Sequence, residues 1–176
     1  PGVVLKRNPS EGGTDAPYRQ AIGSLMYLAV ATRPDLAFSV SQLSQHLEHP
    51  SEVHWQAVKR VFRYLRGSMD TGITFSDQRG SVNQLVAYSD ADYASDEDRK
   101  SISGVVLMLN GGPVSWMSRK QTIVADSTTY AEYVAAYMAT KEIIWIRGLL
   151  ADLGAVQRQP TIVHMDNAAA EHLVRN

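Results

Sequence analysis

The chain has 176 residues, of which 44% are apolar and 20% charged, and its formal net charge is −1. It is long enough for one well-formed core with a helical segment beside it, and the near-zero charge argues against a broadly polycationic nucleic-acid binder, although not against one basic face. Without cysteine, disulfides and thiolate metal sites are excluded. No apolar stretch approaches the roughly 20 residues of a transmembrane helix, so we expect no membrane partner.

Residues 1–17 are rich in Gly, Pro, Ser and Asp, which predicts a disordered or extended lead-in. The sequence begins with Pro1 rather than Met and shows no signal-peptide pattern. We therefore expect a processed product or an excised piece of a longer chain.

Three helices are predicted within a helical module that covers residues 18–75. The first should end near Arg33, because Pro34 disfavours helical backbone in the residue before it. The second should begin at Pro34, and the third should be capped by Ser51 and ended by Gly67. The second helix carries an apolar stripe at helical spacing, formed by Leu36, Val40, Leu43 and Leu47.

A second module is predicted for residues 82–176, after a short strand at 72–75 and a polar boundary at 76–81. Its element order is β-β-β-α-β-α, with Asn110-Gly111-Gly112 as a strong hairpin signal. The predicted strands cover 85–89, 104–109, 113–117 and 161–165, and the predicted helices run from Ser127 or Thr128 to about Leu153 and from Asn167 onward. This order predicts the α/β fold class, with a mixed sheet and helices packed on it.

Three short acidic motifs occupy corresponding places in the second module, and they read Tyr88-Ser89-Asp90-Ala91-Asp92, Thr129-Tyr130-Ala131-Glu132-Tyr133 and His164-Met165-Asp166-Asn167. The first and third lie where a strand is predicted to end, and the second lies where the long helix begins. Carboxylates in such places can converge, and hard divalent cations prefer carboxylate oxygens. The pattern therefore indicates metal-assisted phosphoryl chemistry.

Each acidic residue also has an alternative interpretation. Asp90 and Asp92 do not open a calcium loop, since Ala94 and Ser95 replace its ligand and glycine, but the Asp-x-Asp of sugar-nucleotide transferases remains open. Asp166 is well placed as a helix N-cap. Glu132 would be favourable near a helix N-terminus, although its apolar neighbours mean that a buried charge there needs a partner.

The third helix has a basic face formed by Lys59, Arg60, Arg63 and Arg66. Three of these cations lie at spacings of four and three residues, so they can follow a phosphate backbone together. The alternative is a simply solvated face. The two histidines near the last acidic motif, His164 and His172, are more typical of structural histidines than of ligands.

Five segments together resemble the ribonuclease H domain of copia-type LTR retrotransposons. They are 85–94 (Leu-Val-Ala-Tyr-Ser-Asp-Ala-Asp-Tyr-Ala), 99–104 (Arg-Lys-Ser-Ile-Ser-Gly), 115–121 (Ser-Trp-Met-Ser-Arg-Lys-Gln), 124–135 around Glu132, and Met165-Asp-Asn167. Upstream, Tyr18 to Tyr27, Thr32-Arg-Pro-Asp35 and the helix from His54 to Gly67 resemble the C-terminal end of the same polyprotein's reverse transcriptase.

The resemblance implies a ribonuclease H-like fold that cleaves the RNA strand of RNA–DNA hybrids with two Mg²⁺ or Mn²⁺ ions. Of the family's four carboxylates, the first three map to Asp90, Glu132 and Asp166. It also implies the remainder of the reverse transcriptase and RNA–DNA hybrid or other nucleic acid as partners, and a cytoplasmic virus-like particle as the location, with the nucleus as the alternative.

The sequence departs from the family at two points. Tyr130 replaces a usual Glu, which we expect to be peripheral because residues two apart on a helix do not share a face. The fourth Asp is expected after a fifth strand, and no residue up to Asn176 can be assigned to it. We therefore expect weak or absent cleavage from this stretch alone, and the alternative function is a non-catalytic module that binds nucleic acid or a protein.

Overall fold

The computed structural model describes residues 13–76, 83–95 and 98–175. These belong to two compact units, Pro1–Ile73 and Thr74–Asn176, each with its own apolar core. The boundary predicted at 76–81 lies a few residues after the observed division between Ile73 and Thr74. Residues 77–81 and most of the predicted lead-in are outside the described residues.

The first unit contains α1 (Tyr18–Ala31), a 3-10 turn (Pro34–Leu36), α2 (Ala37–Ser44) and α3 (Glu52–Gly67). The predicted boundaries of the first and third helices are confirmed. Ser51 caps α3, and its own backbone amide donates back to the ring of His54 at 3.0 Å. The core of this unit consists of Tyr18, Ile22, Leu25, Ala29, Leu36, Val40, Leu43 and Val58.

The second helix is shorter than predicted at both ends, because Pro34 opens a 3-10 turn rather than α2, and because α2 ends at Ser44 and leaves Leu47 outside it. The carbonyl of Leu43, which would bond to Leu47 in a longer helix, instead accepts from the Tyr18 hydroxyl at 2.8 Å and from the His46 amide at 3.1 Å. The predicted strand at 72–75 was also wrong. Residues 72–75 have no strand assignment, and one backbone bond just after them, from the Ser76 amide to the Asn110 carbonyl, is too little for a ladder.

The second unit contains β1 (Val86–Asp92), β2 (Ile102–Leu109), β3 (Gly112–Lys120), α4 (Thr128–Asp152), β4 (Ile162–His164) and α5 (Ala168–Arg175). The sheet order is β3-β2-β1-β4, with β1 antiparallel to β2 and parallel to β4. The predicted order and the mixed sheet are confirmed, and the α/β architecture is compatible with a ribonuclease H-like fold. Leu85, just before β1, and strand residues such as Val105 and Leu107 form the core together with apolar residues of α4.

Strand β1 continues past the predicted end at Ser89 and reaches Asp92, so Asp90 lies inside the strand opposite Gly104. Ala87 and Ser89 are buried while Tyr88, Asp90 and Asp92 are exposed. Because side chains alternate between the two faces of a strand, polar residues on the open face do not end the pairing. No helix within the described part of the chain has both the length and the apolar character needed to cross a bilayer.

Candidate metal centre

Asp90, Glu132 and Asp166 are brought together from three elements: β1, the second turn of α4 and the residues just after β4. One carboxylate oxygen of each lies within 4.8 Å of the others. The parallel pairing of β1 with β4 sets Tyr88 opposite His164. Asp90 and Asp166, each two residues further on, therefore emerge at the same end of neighbouring strands.

Glu132 is the buried member of this acidic triad, with 6% of its surface exposed. Its Oε1 accepts a hydrogen bond from the Ala91 backbone amide at 3.1 Å, while Oε2 is buried without a partner among the described residues. Burial raises the pKa of Glu132 above its ordinary value, and the nearby carboxylates of Asp90 and Asp166 raise it further. The bond from Ala91 acts in the opposite direction.

Neither helix beside the site uses a triad carboxylate as its cap. Asn167, rather than Asp166, caps α5, because its Oδ1 accepts from the Ala170 amide at 2.9 Å. Ser127 caps α4 and accepts from the Tyr130 amide at 3.1 Å. The alternative interpretation of Asp166 as an N-cap is therefore wrong, and its carboxylate is available for another role.

The donor set fits a hard divalent cation such as Mg²⁺ or Mn²⁺, since it consists of carboxylate oxygens. Three carboxylates this close repel one another, and a bound cation reverses that repulsion. It would also give a partner to Oε2 of Glu132, which has none among the residues that the structure describes. Asp92 is exposed on the same face of β1 but is not part of this group of three carboxylates.

The histidines near the last motif do not join the triad. His164 lies on β4 and stacks on Tyr88, with ring centroids 4.9 Å apart, and His172 is exposed on α5. Sequence reasoning missed the backbone amide of Ala91, which positions Glu132. A main-chain donor leaves no signature in the residue type, so no motif could have revealed it.

The basic face on α3 belongs to the first unit. Arg60, Arg63 and Arg66 are exposed. Lys59 lies 3.7 Å from a carboxylate oxygen of Glu52, and its ammonium is 6.0 Å from the ring centroid of Trp55. The three arginines are thus exposed along one helix, and the side chain of Lys59 is 39% exposed.

Comparison with known proteins shows which proteins this chain is similar to. It is 45% identical over 161 residues to the retrovirus-related Pol polyprotein from transposon TNT 1-94 of Nicotiana tabacum, a match that covers 91% of this chain. The corresponding polyprotein from transposon RE2 of Arabidopsis thaliana is 44% identical over 160 residues, or 90% of this chain. The chain is homologous to one segment of copia-type retrotransposon Pol polyproteins. It spans 12% and 11% of the length of these two Pol polyproteins.

A shorter relative of this Pol segment is also known. The secreted RxLR effector protein 161 of Plasmopara viticola is 50% identical over 133 residues, which cover 75% of this chain and 92% of that protein. No protein-family model matches the Pol segment, and no solved structure matches it.

Proposed function

We propose that this Pol segment carries the ribonuclease H-type site of its polyprotein, which hydrolyses the RNA strand of RNA–DNA hybrids during reverse transcription. The observation that carries the proposal is the acidic triad, in which an oxygen of the buried carboxylate lies within 4.8 Å of oxygens of two exposed ones, and its second oxygen has no hydrogen-bond partner in the described part of the chain. The homologous Pol polyproteins support a role in a retroelement. The first unit would then be the C-terminal end of the reverse transcriptase.

The three carboxylates have different tasks in this proposal. Asp90 and Asp166 are exposed, so they can hold a cation where a phosphate can approach it. Glu132 supplies an oxygen from the buried side, and the Ala91 amide fixes its orientation. When bound, Mg²⁺ or Mn²⁺ supplies Lewis-acid activation of water and neutralises charge on the scissile phosphate. Selection of RNA over DNA would rest on the 2′-hydroxyl.

The basic face of α3 would bind the phosphate backbone of the hybrid. Lys59 and Arg66 are seven residues apart, which is about 10 Å along the helix axis. Arg63 lies between them on the same face. Such contacts contribute affinity without sequence preference, as a nuclease acting along a whole transcript requires.

The test is cleavage of a labelled RNA–DNA hybrid in the presence of Mn²⁺, with Mn²⁺ binding measured in parallel. Asp90→Asn should abolish both. Asp92→Asn is the matched control, because Asp92 lies on the same face of β1 two residues away but outside the triad. Cleavage that survives Asp90→Asn, or is lost equally in Asp92→Asn, contradicts the proposal.

A second candidate is a non-catalytic module on the same fold. It is favoured by the relative named as a secreted effector, because 92% of that protein corresponds to this segment. Mn²⁺ binding without hybrid cleavage, by this segment and also by a longer piece of the polyprotein that supplies the fourth Asp, would support this candidate. If the chain does not bind Mn²⁺, the assignment of the acidic triad as a metal site is contradicted for both candidate functions.

A further inference from the structure

Gln121 is a buried polar residue that the proposed chemistry does not use. It follows β3, and only 3% of its surface is exposed. Its Nε2 donates to the Ser103 hydroxyl and to the Ala131 carbonyl, both at 2.9 Å. Its backbone amide donates to the Ser101 carbonyl at 2.8 Å, which fixes the position of the residue itself.

These bonds form a closed ring through the metal centre. Ser103 pairs with Ala91 in the β1–β2 ladder. The Ala91 amide donates to Glu132, and Glu132 follows Ala131 on α4. Gln121 closes the ring by joining Ala131 to Ser103. It therefore fixes the second turn of α4 against the part of β1 that carries Asp90.

The buried amide of Gln121 has an energetic cost that packing alone does not explain. Its Oε1 is buried without a hydrogen-bond partner among the described residues. An unsatisfied buried acceptor is unfavourable, whereas an apolar side chain of the same length has no such group. The two hydrogen bonds that Nε2 of Gln121 donates, to Ser103 and Ala131, therefore indicate a role other than stability.

We infer that Gln121 is a positioning residue of the metal centre, which sets the separation of Glu132 from Asp90 and so the affinity for a divalent cation. The inference rests on the proposed function only in taking the triad as a cation site. Groups that orient metal ligands typically change metal affinity by about 10–100-fold when they are removed.

The test is Gln121→Met, which keeps the length of the side chain and removes both donors. We expect the dissociation constant for Mn²⁺, measured by calorimetric titration of the whole chain, to rise at least about tenfold. The melting temperature without metal should change by no more than about 4 °C. Gln157→Met is the matched control, because Gln157 also bridges backbone groups, Asn83 and Leu85, but at the start of β1 away from the triad. It should leave Mn²⁺ affinity unchanged.

Ser103→Ala is a second, milder variant, since it removes one hydroxyl from the ring. It should weaken Mn²⁺ binding several-fold, and the double variant should bind no more weakly than Gln121→Met, since both break the same ring. Unchanged Mn²⁺ affinity in Gln121→Met overturns the inference. If Gln121→Met does not fold, unchanged Mn²⁺ affinity in Ser103→Ala overturns it instead. Absence of Mn²⁺ binding by the wild-type chain would instead contradict the proposed function.

Discussion

The backbone amide of Ala91 donates to Oε1 of Glu132 at 3.1 Å, and this bond joins a strand of the sheet to the long helix α4. The bond favours an ionised carboxylate, but burial and the neighbouring carboxylates raise the pKa of Glu132 overall. The metal-free fold therefore carries an electrostatic cost at this site. Such a cost is expected where a protein holds ligands ready for a cation.

Replacing Glu132 with Gln should therefore stabilise the metal-free protein at neutral pH, by about 0.5–2 kcal/mol. Because the pKa of Glu132 is raised, its contribution to the free energy of unfolding is fully present below the ordinary pKa of 4.5. That contribution is lost as pH rises through the folded-state pKa. The variant should lack that decline. Urea denaturation between pH 4 and 8, with and without Mn²⁺, measures both effects.

The control for this prediction is Glu142→Gln on the same helix. Glu142 accepts from the Ser115 hydroxyl at 2.7 Å and is not part of the triad. Added Mn²⁺ should stabilise the wild type and Glu142→Gln but not Glu132→Gln. Equal stabilisation of all three by Mn²⁺ would place the cation elsewhere.

Changing Lys59, Arg63 and Arg66 to Gln should weaken hybrid binding and, with one phosphate contact for each cation, reduce the slope of log affinity against log salt by about 2–3. Fluorescence anisotropy across a salt series measures the slope. A matched control changes Lys141, Arg158 and Arg175 to Gln, which alters net charge equally in another part of the chain. An unchanged slope in the α3 variant would show that this face is only solvated.

The Arg33–Asp35 pair explains the Thr32-Arg-Pro-Asp35 motif. Arg33 is buried, and its guanidinium donates to both oxygens of Asp35, at 3.0 and 2.8 Å, and to the Ser68 carbonyl at 3.0 Å. Tyr64 also donates to Asp35 at 2.9 Å. These bonds fasten the end of α3 to the junction between α1 and α2, and the bond from Arg33 is the largest cause that lowers the pKa of Asp35.

Asp35→Asn should destabilise the first unit by about 1–3 kcal/mol, less than for a fully buried pair because Asp35 is partly exposed. Since the pKa of Asp35 is lowered, its contribution is present above 3.8 and is lost as pH falls through the folded-state value. The variant should therefore lose less stability under acid conditions. Thermal unfolding from pH 2 to 7 tests this, with the exposed Asp70→Asn as a control that should behave like the wild type.

The sequence contains strong signals for helix ends and for the three carboxylates that the structure brings together, but weak ones for the groups that position them. Pro34, Ser51 and Gly67 act through their own backbone or side chain, so the limits of α1 and α3 could be predicted. The extension of β1 through Asp90 depends on pairing with β2, which local polarity cannot reveal. The role of Gln121 depends on three elements that meet only in the folded chain.

Because the buried Tyr18 has a raised pKa, we expect the protein to lose stability at alkaline pH. Its hydroxyl donates to the Leu43 carbonyl, and burial raises its pKa from 10.0 to about 12. The unfolded chain therefore ionises first, and stability is lost as pH rises from 10 towards 12. Tyr18→Phe should cost about 1 kcal/mol at pH 7 and flatten this decline. Tyr27→Phe, on the exposed side of α1, should keep the wild-type pH profile, and an identical decline in Tyr18→Phe would contradict the assignment.

Two glycines should respond oppositely to alanine. Asn110 and Gly111 form the two-residue turn between β2 and β3 with φ angles of 50° and 78°, a left-handed conformation that side chains disfavour. Gly111→Ala should therefore cost about 1–2 kcal/mol.

Gly148 lies in α4, where an added Cβ would meet nothing within 4 Å. Gly148→Ala should stabilise by about 0.5–1 kcal/mol, because alanine restricts the unfolded chain and favours helix. Chemical denaturation of both variants tests the hairpin and the helix separately, and a stabilising Gly111→Ala would exclude the left-handed turn.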